Sequence, residues 1–324
     1  MRRRSDIDES GSPRRPDRPT GPTGLQSLPR PVAMVVGGGG VLGAAHVGAG
    51  YALERRGFVP DLVFGTSVGA LNGAVAAARP GTAAPWLDHV WNRLSRRAVF
   101  PLGYLSSRGR SLFDDRGLRR LVAEAGLPAR IEQLRIPFTA VAMDLATGAP
   151  ELLDSGDLTS ALLASSAIPG LFPPVTRGGR TLVDGGTVAF VPARAAWQSG
   201  AASLVVLSAG PEGSPLRPGP APHRAGAIVA RAGSMLLRHQ IERDLKEVSQ
   251  HVPTVVLPTG VASWPAPWDF RRSRQLVGLA ASAAGRFLDR LCVDGPGLYR
   301  DEAVPAEAVT GSDHGHPVVA EAGR

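Results

Sequence analysis

Two glycine-rich turns, each placed where an apolar run meets a helix-compatible run, constrain this chain more than any other feature. The run Val32–Val36 (VAMVV) is followed by the turn at 37–43, GGGGVLG. The run Leu62–Phe64 is followed by the turn at 65–69, GTSVG. Short β-type runs that alternate with helical segments predict a mainly parallel sheet with helices on both faces. We therefore expect a three-layer α/β/α fold.

The same alternation continues along the chain and extends this prediction. Further strands are expected at 138–143, 181–183, 204–208 and 254–257, with helices near 115–125, 157–165, 192–200, 226–250 and 273–291.

A change of composition at both ends sets the expected domain bounds. Residues 1–30 are rich in Arg, Pro, Gly and Ser, and residues 300–324 show no sustained apolar period. Such segments bury too little apolar surface to offset the entropy lost on ordering. We expect a disordered basic tail at 1–30, one folded domain at 32–295 and a disordered acidic tail at 300–324.

The G-x-S-x-G turn at 65–69 has the context that a nucleophile elbow requires, between a strand and a helix. Gly65 and Gly69 leave room for a sharp backbone turn, because glycine has no Cβ. Ser67 is then presented near the sheet's carboxyl edge and a helix N-terminus. A tight turn without catalytic function is the competing interpretation of this motif on its own.

The glycine run before the first helix also fits two kinds of site. Gly38, Gly40 and Gly43 form G-x-G-x-x-G, which occurs in dinucleotide-binding turns, while fanned backbone N–H groups there would equally hold an oxyanion. A dinucleotide site needs an acidic residue at the end of the second strand. Since Ser67 follows that strand instead, the oxyanion interpretation is favoured.

Five sequence blocks in this order resemble the patatin-like phospholipases. They are GGGGVLGAAHVG from Gly37, GTSVGALNGA from Gly65, AMDLATG from Ala142, SSAIPGLFPPV from Ser165 and VDGG from Val183. The motif core covers residues 34–197. Since several motifs occur in register, the resemblance is much more specific than any single block.

The resemblance implies a lipid acyl hydrolase (phospholipase, lipase or esterase) that acts through a Ser/Asp dyad and an acyl-enzyme intermediate. It implies that Ser67 is the nucleophile and Asp184 its base. The backbone of Gly38, Gly39 and Gly40 would form the oxyanion hole. The remaining motif glycines are Gly43, Gly65, Gly69, Gly185 and Gly186. A non-catalytic lipid-binding or regulatory protein on the same fold is the alternative.

Two positions depart from the pattern of that family. Its glycine loop usually carries Arg or Lys before the last glycine, where this chain has Leu42. Asn usually stands shortly before a proline after the aspartate, whereas this chain has the segment Phe190–Pro192. We expect the first departure to affect turnover or head-group preference, and the second to remove a hydrogen bond that tethers the loop.

Composition excludes several other classes of function. Cys292 is the only cysteine, so neither an internal disulfide framework nor a multi-cysteine metal site is possible within this chain, and no metal or other cofactor is predicted. The formal charge is +8, with Lys246 as the single lysine, but the sequence contains no nucleic-acid recognition motif. We therefore predict no nucleic-acid partner. No apolar run reaches the length of a membrane span. We expect a cytoplasmic protein that acts on a lipid or acyl ester, with peripheral membrane contact and oligomeric state left open.

The remaining candidates are histidines, aromatic clusters and a basic turn. Most of them have a packing or surface interpretation that competes with a functional one. The histidines considered for a Ser-His-Asp triad or another site role are His46, His89, His223, His239 and His251. The aromatic and apolar residues considered for an acyl-chain groove or interfacial rim are Trp86, Trp91, Phe100, Tyr104, Leu105, Phe113, Trp264, Trp268 and Phe270. Arg271, Arg272 and Arg274 are considered for contact with anionic lipid.

Overall fold

The computed structural model describes residues 24–103, 109–208, 222–260 and 269–301. The strands are β1 Val32–Val36, β2 Leu62–Thr66, β3 Phe138–Asp144, β4 Pro150–Leu153, β5 Val175–Arg177, β6 Arg180–Asp184, β7 Ser203–Leu207, β8 Pro253–Val256 and β9 Gly297–Tyr299. The helices are α1 Gly43–Glu54, α2 Val68–Ala78, α3 Ala83–Trp91, α4 Arg96–Val99, α5 Arg116–Glu124, α6 Leu158–Ser165, α7 Gly186–Ala189, α8 Ala193–Gln198, α9 Ala225–Ser249 and α10 Ser273–Leu288. Short 3-10 turns lie at Gly24–Ser27, Gly40–Leu42, Ile131–Gln133 and Phe270–Arg272.

The strands form one mixed sheet in the order β5-β6-β3-β2-β1-β7-β8-β9, and β4 pairs with β3. All pairs from β3 through β2, β1, β7 and β8 to β9 are parallel. The pairs of β3 with β4 and β6, and of β5 with β6, are antiparallel. The mainly parallel sheet that the sequence predicts is therefore confirmed.

Sheet register brings the two candidate catalytic residues to the same level. Thr66 pairs with Val141 of β3, so Ser67 follows level with Ala142. Asp184 pairs with Ala142 from the other side of β3. Neighbouring strands lie about 4.8 Å apart, so two side chains that flank one strand can meet above it.

The core has two layers, one on each face of the sheet, as β1 illustrates. Val32, Met34 and Val36 point into the cluster that contains residues of α1, α2, α6 and α10. Ala33 and Val35 point into the opposite cluster, with residues of α8 and α9. This alternation is what the two-residue period of a strand buried on both faces requires. The prediction of three layers is confirmed.

The folded part extends beyond the bounds expected at both ends. Residues 24–30 fall within the expected disordered tail, yet Leu28 is buried and the carbonyl of Pro29 accepts a hydrogen bond from Ser203 Oγ at 2.6 Å. At the other end, β9 lies past residue 295, and Arg300 pairs with Glu242. Contacts distant in sequence hold these short segments, so local composition does not reveal them.

Candidate active site

Ser67 occupies the turn between β2 and α2 with φ 57° and ψ −128°. It is the one non-glycine residue with positive φ in the described part of the chain. This conformation costs on the order of 1–3 kcal/mol and persists only where its surroundings enforce it. A Cβ on Gly65 would lie 2.6 Å from Ala70 Cα, and one on Gly69 would lie 2.2 Å from the Val36 carbonyl oxygen. Both glycines are therefore needed for the close approach of the turn to the sheet, and the predicted elbow geometry is present.

Two side chains, those of Ser165 and Thr66, fix the backbone of this turn by hydrogen bonds. Ser165 Oγ accepts a hydrogen bond from the Ser67 N–H at 2.9 Å and donates to the Val141 carbonyl at 2.7 Å. Thr66 Oγ1 donates to the Ala189 carbonyl at 2.8 Å. Ser165 opens the block SSAIPGLFPPV, but nothing local in the sequence shows that its side chain reaches Ser67.

Asp184 lies at the end of β6 with 5% of its surface exposed. Its Oδ1 accepts a hydrogen bond from the Gly186 N–H at 2.7 Å, and its carboxylate faces the Ser67 hydroxyl. Burial raises the pKa of Asp184 to about 6, although the Ser67 hydroxyl and the Gly186 N–H both act in the opposite direction. Such a carboxyl group is a stronger base than an exposed Asp and is still ionised near pH 7.

The glycine loop presents backbone donors on the same edge, but one of the three expected donors is engaged. The Gly38 N–H donates to the Phe190 carbonyl at 2.8 Å and is therefore already engaged within the protein. Gly39 and Gly40 adopt φ 141° and 56°, which lie in the region that favours glycine. No acceptor contacts their N–H groups within the described residues.

The bond from Gly38 also resolves one departure from the family pattern. The segment Phe190–Pro192 was expected to lack a hydrogen bond that tethers the loop. The backbone carbonyl of Phe190 supplies that tether, and the Phe190 N–H is held in turn by Gln240 Oε1 at 3.2 Å. A backbone group therefore ties the glycine loop to this segment, and residue type does not reveal such a contact.

A buried polar group holds the end of the glycine loop against the elbow helix. Asn72 Nδ2 donates to the Gly43 carbonyl at 3.0 Å, and Asn72 Oδ1 accepts from Trp91 Nε1 at 3.2 Å. His46 Nδ1 lies 3.3 Å from Asn72 Nδ2, and burial lowers the pKa of His46 to about 3. His46 is therefore neutral at physiological pH and serves as a buried packing residue. Leu42, in place of the usual cation, is also buried, with 2% of its surface exposed.

An apolar cavity opens beside Ser67, with an empty volume of about 860 Å³ that includes its mouth. Its walls come from α2, α3, α5 and α6 and from the segment around Phe270. Among the aromatic candidates, the lining includes Trp86, Trp91, Phe100 and Phe270, joined by Phe172. Phe113 stacks edge-on against Phe100 just behind this wall. Tyr104, Leu105, Trp264 and Trp268 lie outside the described residues.

The other candidates are placed elsewhere. No histidine is a hydrogen-bond partner of Ser67 or Asp184 in the described part of the chain. His251 stacks on Trp197, and Glu242, next to His239 on α9, pairs with Arg300. The basic turn finds partners within the protein, in the pairs Arg271 with Asp269, Arg272 with Gln275 and Arg274 with Asn92. No group of three potential metal ligands occurs in the ranges that the structure describes.

Comparison with known proteins adds a family and several relatives. A family model described as Patatin-like phospholipase matches residues 34–197, about half of the chain. An uncharacterized NTE family protein of Mycobacterium tuberculosis is 39% identical over 171 residues, which are 51% of this chain and 45% of that protein. The human Patatin-like phospholipase domain-containing protein 6 is 30% identical over 182 residues, 55% of this chain and 13% of that protein. The chain thus matches less than half the length of these relatives.

A solved structure also aligns with this chain. The crystal structure of VipD from Legionella pneumophila has a TM-score of 0.42 and 13% identity, and the alignment covers 81% of this chain and 67% of that one. No helix of the described residues combines the length and apolar character needed to cross a membrane.

Proposed function

Because this chain belongs to the patatin-like phospholipase family, we propose that it is a serine hydrolase that cleaves acyl esters of lipids through Ser67 and Asp184. The observation that carries the proposal is that the Ser67 hydroxyl faces the buried Asp184 carboxylate beside the apolar cavity. A buried carboxylate that faces a hydroxyl at a strained turn is the arrangement required to activate a serine nucleophile.

The proposed reaction proceeds in two steps. As Ser67 Oγ attacks the ester carbonyl, its proton passes to Asp184, and the new C–O bond leaves negative charge on the former carbonyl oxygen. Asp184 then returns the proton to the departing alcohol, which leaves an acyl group on Ser67. Water, deprotonated by Asp184, attacks this acyl group, and the proton passes back to Ser67 as the fatty acid leaves.

The N–H groups of Gly39 and Gly40 are the proposed donors to the charged oxygen. Preorganised donors of this kind are each worth about 3–4 kcal/mol of barrier. The bonds from Gly38 to Phe190 and from Asn72 to Gly43 hold the loop on both sides of these two glycines. The loop therefore needs little rearrangement when charge develops.

The cavity supports an acyl chain as the group bound beside Ser67. Its lining is almost entirely aliphatic and aromatic, and such pockets bind apolar ligands with a few polar groups to orient them. Besides Ser67, the polar side chains on the wall include Asn72 and Ser166, and the Oγ of Ser166 is buried without a hydrogen-bond partner in the described residues. Phospholipid, neutral glyceride and thioester substrates all present an acyl group of this kind.

Labelling with a fluorophosphonate ester tests the proposal directly. We expect a single covalent adduct on the wild type by intact mass, no adduct on Ser67→Ala, and turnover of a p-nitrophenyl ester by the wild type alone. Ser199→Ala, a serine at the end of α8 on the other face of the sheet, serves as the matched control and should label like the wild type. Folded protein that shows neither adduct nor turnover would favour the alternative, a lipid-binding protein with Leu42 in its glycine loop.

The pH dependence of kcat/KM should report the ionisation of Asp184 in the free enzyme. With a pKa of about 6, the carboxyl group is protonated at lower pH and cannot accept the Ser67 proton. We expect kcat/KM for a soluble ester to rise about tenfold per pH unit below pH 6 and to level off above it. A profile that is flat from pH 4 to 8 in folded protein would contradict the role of Asp184 as base.

A further inference from the structure

Helix α9 extends past the edge of the sheet that carries Ser67. Its C-terminal half packs on the sheet through Ile241, Leu245 and Val248 and leads into β8. Gln240, further upstream, contacts the backbone of Phe190 and Thr187 in the segment that follows Asp184. The residues of α9 that precede Leu237 lie further upstream than Gln240. At a rise of 1.5 Å per residue, they span about 18 Å. We call the side of the sheet that carries Ser67 and Asp184 the catalytic edge.

The projecting part of α9 exposes large apolar side chains. Ile228, Val229 and Leu236 are 49%, 72% and 71% exposed. Val229 and Leu236 follow Ile228 by one and eight residues, which places all three on one face of the helix. This face is turned away from the face that carries Ile241 and Leu245. Isolated exposed aliphatic residues are common, but a face of them on a projecting helix marks an interaction surface.

The charge of the same segment is purely basic. Between residues 222 and 241 the sequence contains three arginines and no Asp or Glu. Arg224 and Arg231 lie seven residues apart and therefore form a stripe beside the apolar face. An apolar helical face flanked by arginine is the pattern that binds an anionic lipid surface.

A second exposed apolar pair lies on the catalytic edge, near the cavity. Leu102 and Leu112 are 84% and 50% exposed. The N–H of Leu112 donates to the carbonyl of Gly170, in the loop whose neighbours Ile168 and Phe172 line the cavity. Apolar contacts are thus available on the cavity side of the dyad as well as on α9.

We propose that this edge docks on an anionic lipid bilayer, with Ile228, Val229 and Leu236 inserted among the lipids and Arg224 and Arg231 at the head groups. The inference deepens the proposed function, on which it rests for the identity of the substrate, since it states how the cavity beside Ser67 reaches lipid. A second copy of this chain is the competing occupant. Pairing two copies of α9 by their apolar faces would bring basic stripes together without an acidic partner on the segment, so the lipid surface is favoured.

Sedimentation with vesicles of ether-linked lipids tests the docking separately from catalysis, because these lipids contain no acyl ester. We expect wild-type protein to bind vesicles of phosphatidylcholine mixed with phosphatidylglycerol more tightly than phosphatidylcholine alone. Raising the salt from about 0.1 M to about 1 M should weaken binding, since the screening length falls from about 10 Å to about 3 Å.

The variant Ile228→Gln/Val229→Gln/Leu236→Gln removes the apolar face with a residue that favours helix. We expect its vesicle affinity to fall by about tenfold or more, since burial of even one large aliphatic side chain is worth about that factor. Turnover of a soluble short-chain ester should stay unchanged. Val59→Gln is the matched control, because Val59 is 40% exposed and precedes β2 at the opposite edge of the sheet.

Arginine variants test the charge in the same way. Arg224→Gln/Arg231→Gln should lose the preference for anionic vesicles, whereas Arg55→Gln/Arg135→Gln, which changes exposed arginines at the opposite edge, should keep it. Wild-type binding by the triple variant, or no binding by the wild type, would overturn the proposal. A dimer in sedimentation equilibrium that only the triple variant abolishes, without vesicle binding by the wild type, would assign the face to a second copy. Vesicle binding without ester turnover would contradict the proposed function and leave the docking intact.

Discussion

Replacing Asp184 by asparagine is expected to abolish most ester hydrolysis and, at the same time, to stabilise the fold at neutral pH. Asparagine keeps an oxygen for the Gly186 N–H and presents an amide to the Ser67 hydroxyl, so both contacts of Asp184 can be satisfied. It cannot take up the proton of Ser67. Since a positioned general base contributes on the order of 10²–10⁴ in rate, we expect turnover to fall by about that factor.

The gain in stability follows from the direction of the Asp184 pKa shift. The pKa is raised from 3.8 to about 6 on folding, so between these values the folded state holds a proton that the unfolded state has released. The free energy of unfolding therefore falls as pH rises through this window, and the full cost persists at pH 7. One pKa unit corresponds to 1.36 kcal/mol, which makes the cost on the order of 3 kcal/mol. Asparagine has no such ionisation, so Asp184→Asn should recover part of this cost in the free energy of unfolding.

Urea unfolding at pH 4 and pH 7, together with ester turnover, measures both effects. The stability difference between Asp184→Asn and wild type should be large at pH 7 and small at pH 4. Asp144→Asn provides the control, because Asp144 is also a buried carboxylate at the end of a neighbouring strand and bonds to the Ala146 N–H at 3.0 Å. It should retain turnover. If Asp184→Asn kept wild-type turnover, the carboxylate would not be the base.

The sequence was sufficient for the features that depend on local geometry. The fold class and the elbow at Ser67 follow from runs and turns within a few residues of each other. Asp184 was placed at a strand end that the structure brings next to Ser67 through the pairing of β6 with β3. That placement came from a family resemblance, because the register of strands distant in sequence is not encoded in either strand alone.

The contacts that refine the site could not be predicted in this way. The N–H of Gly38 donates to the carbonyl of a residue 152 positions downstream, Phe190. Ser165 and Asn72 hold the elbow and the glycine loop by hydrogen bonds that depend on how helices pack. The projection of α9 depends on where its buried half meets the sheet, although the helix itself was predicted. Each of these features is determined by tertiary packing and not by the residue types within one segment.

Replacing Gly69 by alanine is expected to be the most disruptive single methyl addition in this site. The added Cβ would lie 2.2 Å from the Val36 carbonyl oxygen and 2.4 Å from that of Gly37. Val36 belongs to a central strand and pairs with Gly65 on one side and Leu207 on the other, and Gly37 follows it directly. They cannot move without breaking the sheet or displacing the glycine loop. We expect a loss of more than about 4 kcal/mol in the free energy of unfolding, or failure to fold.

The same substitution at Gly278 should have the opposite sign. Gly278 lies within α10, and a Cβ there meets nothing within 4 Å. Alanine restricts the unfolded chain and favours helix, so Gly278→Ala should gain roughly 0.5–1 kcal/mol. Urea midpoints of the two variants and the wild type make the comparison, with far-UV circular dichroism to show whether Gly69→Ala folds. A wild-type midpoint for Gly69→Ala would mean that the elbow can move away from β1. Close approach to β1 would then not be what holds Ser67 in its strained conformation.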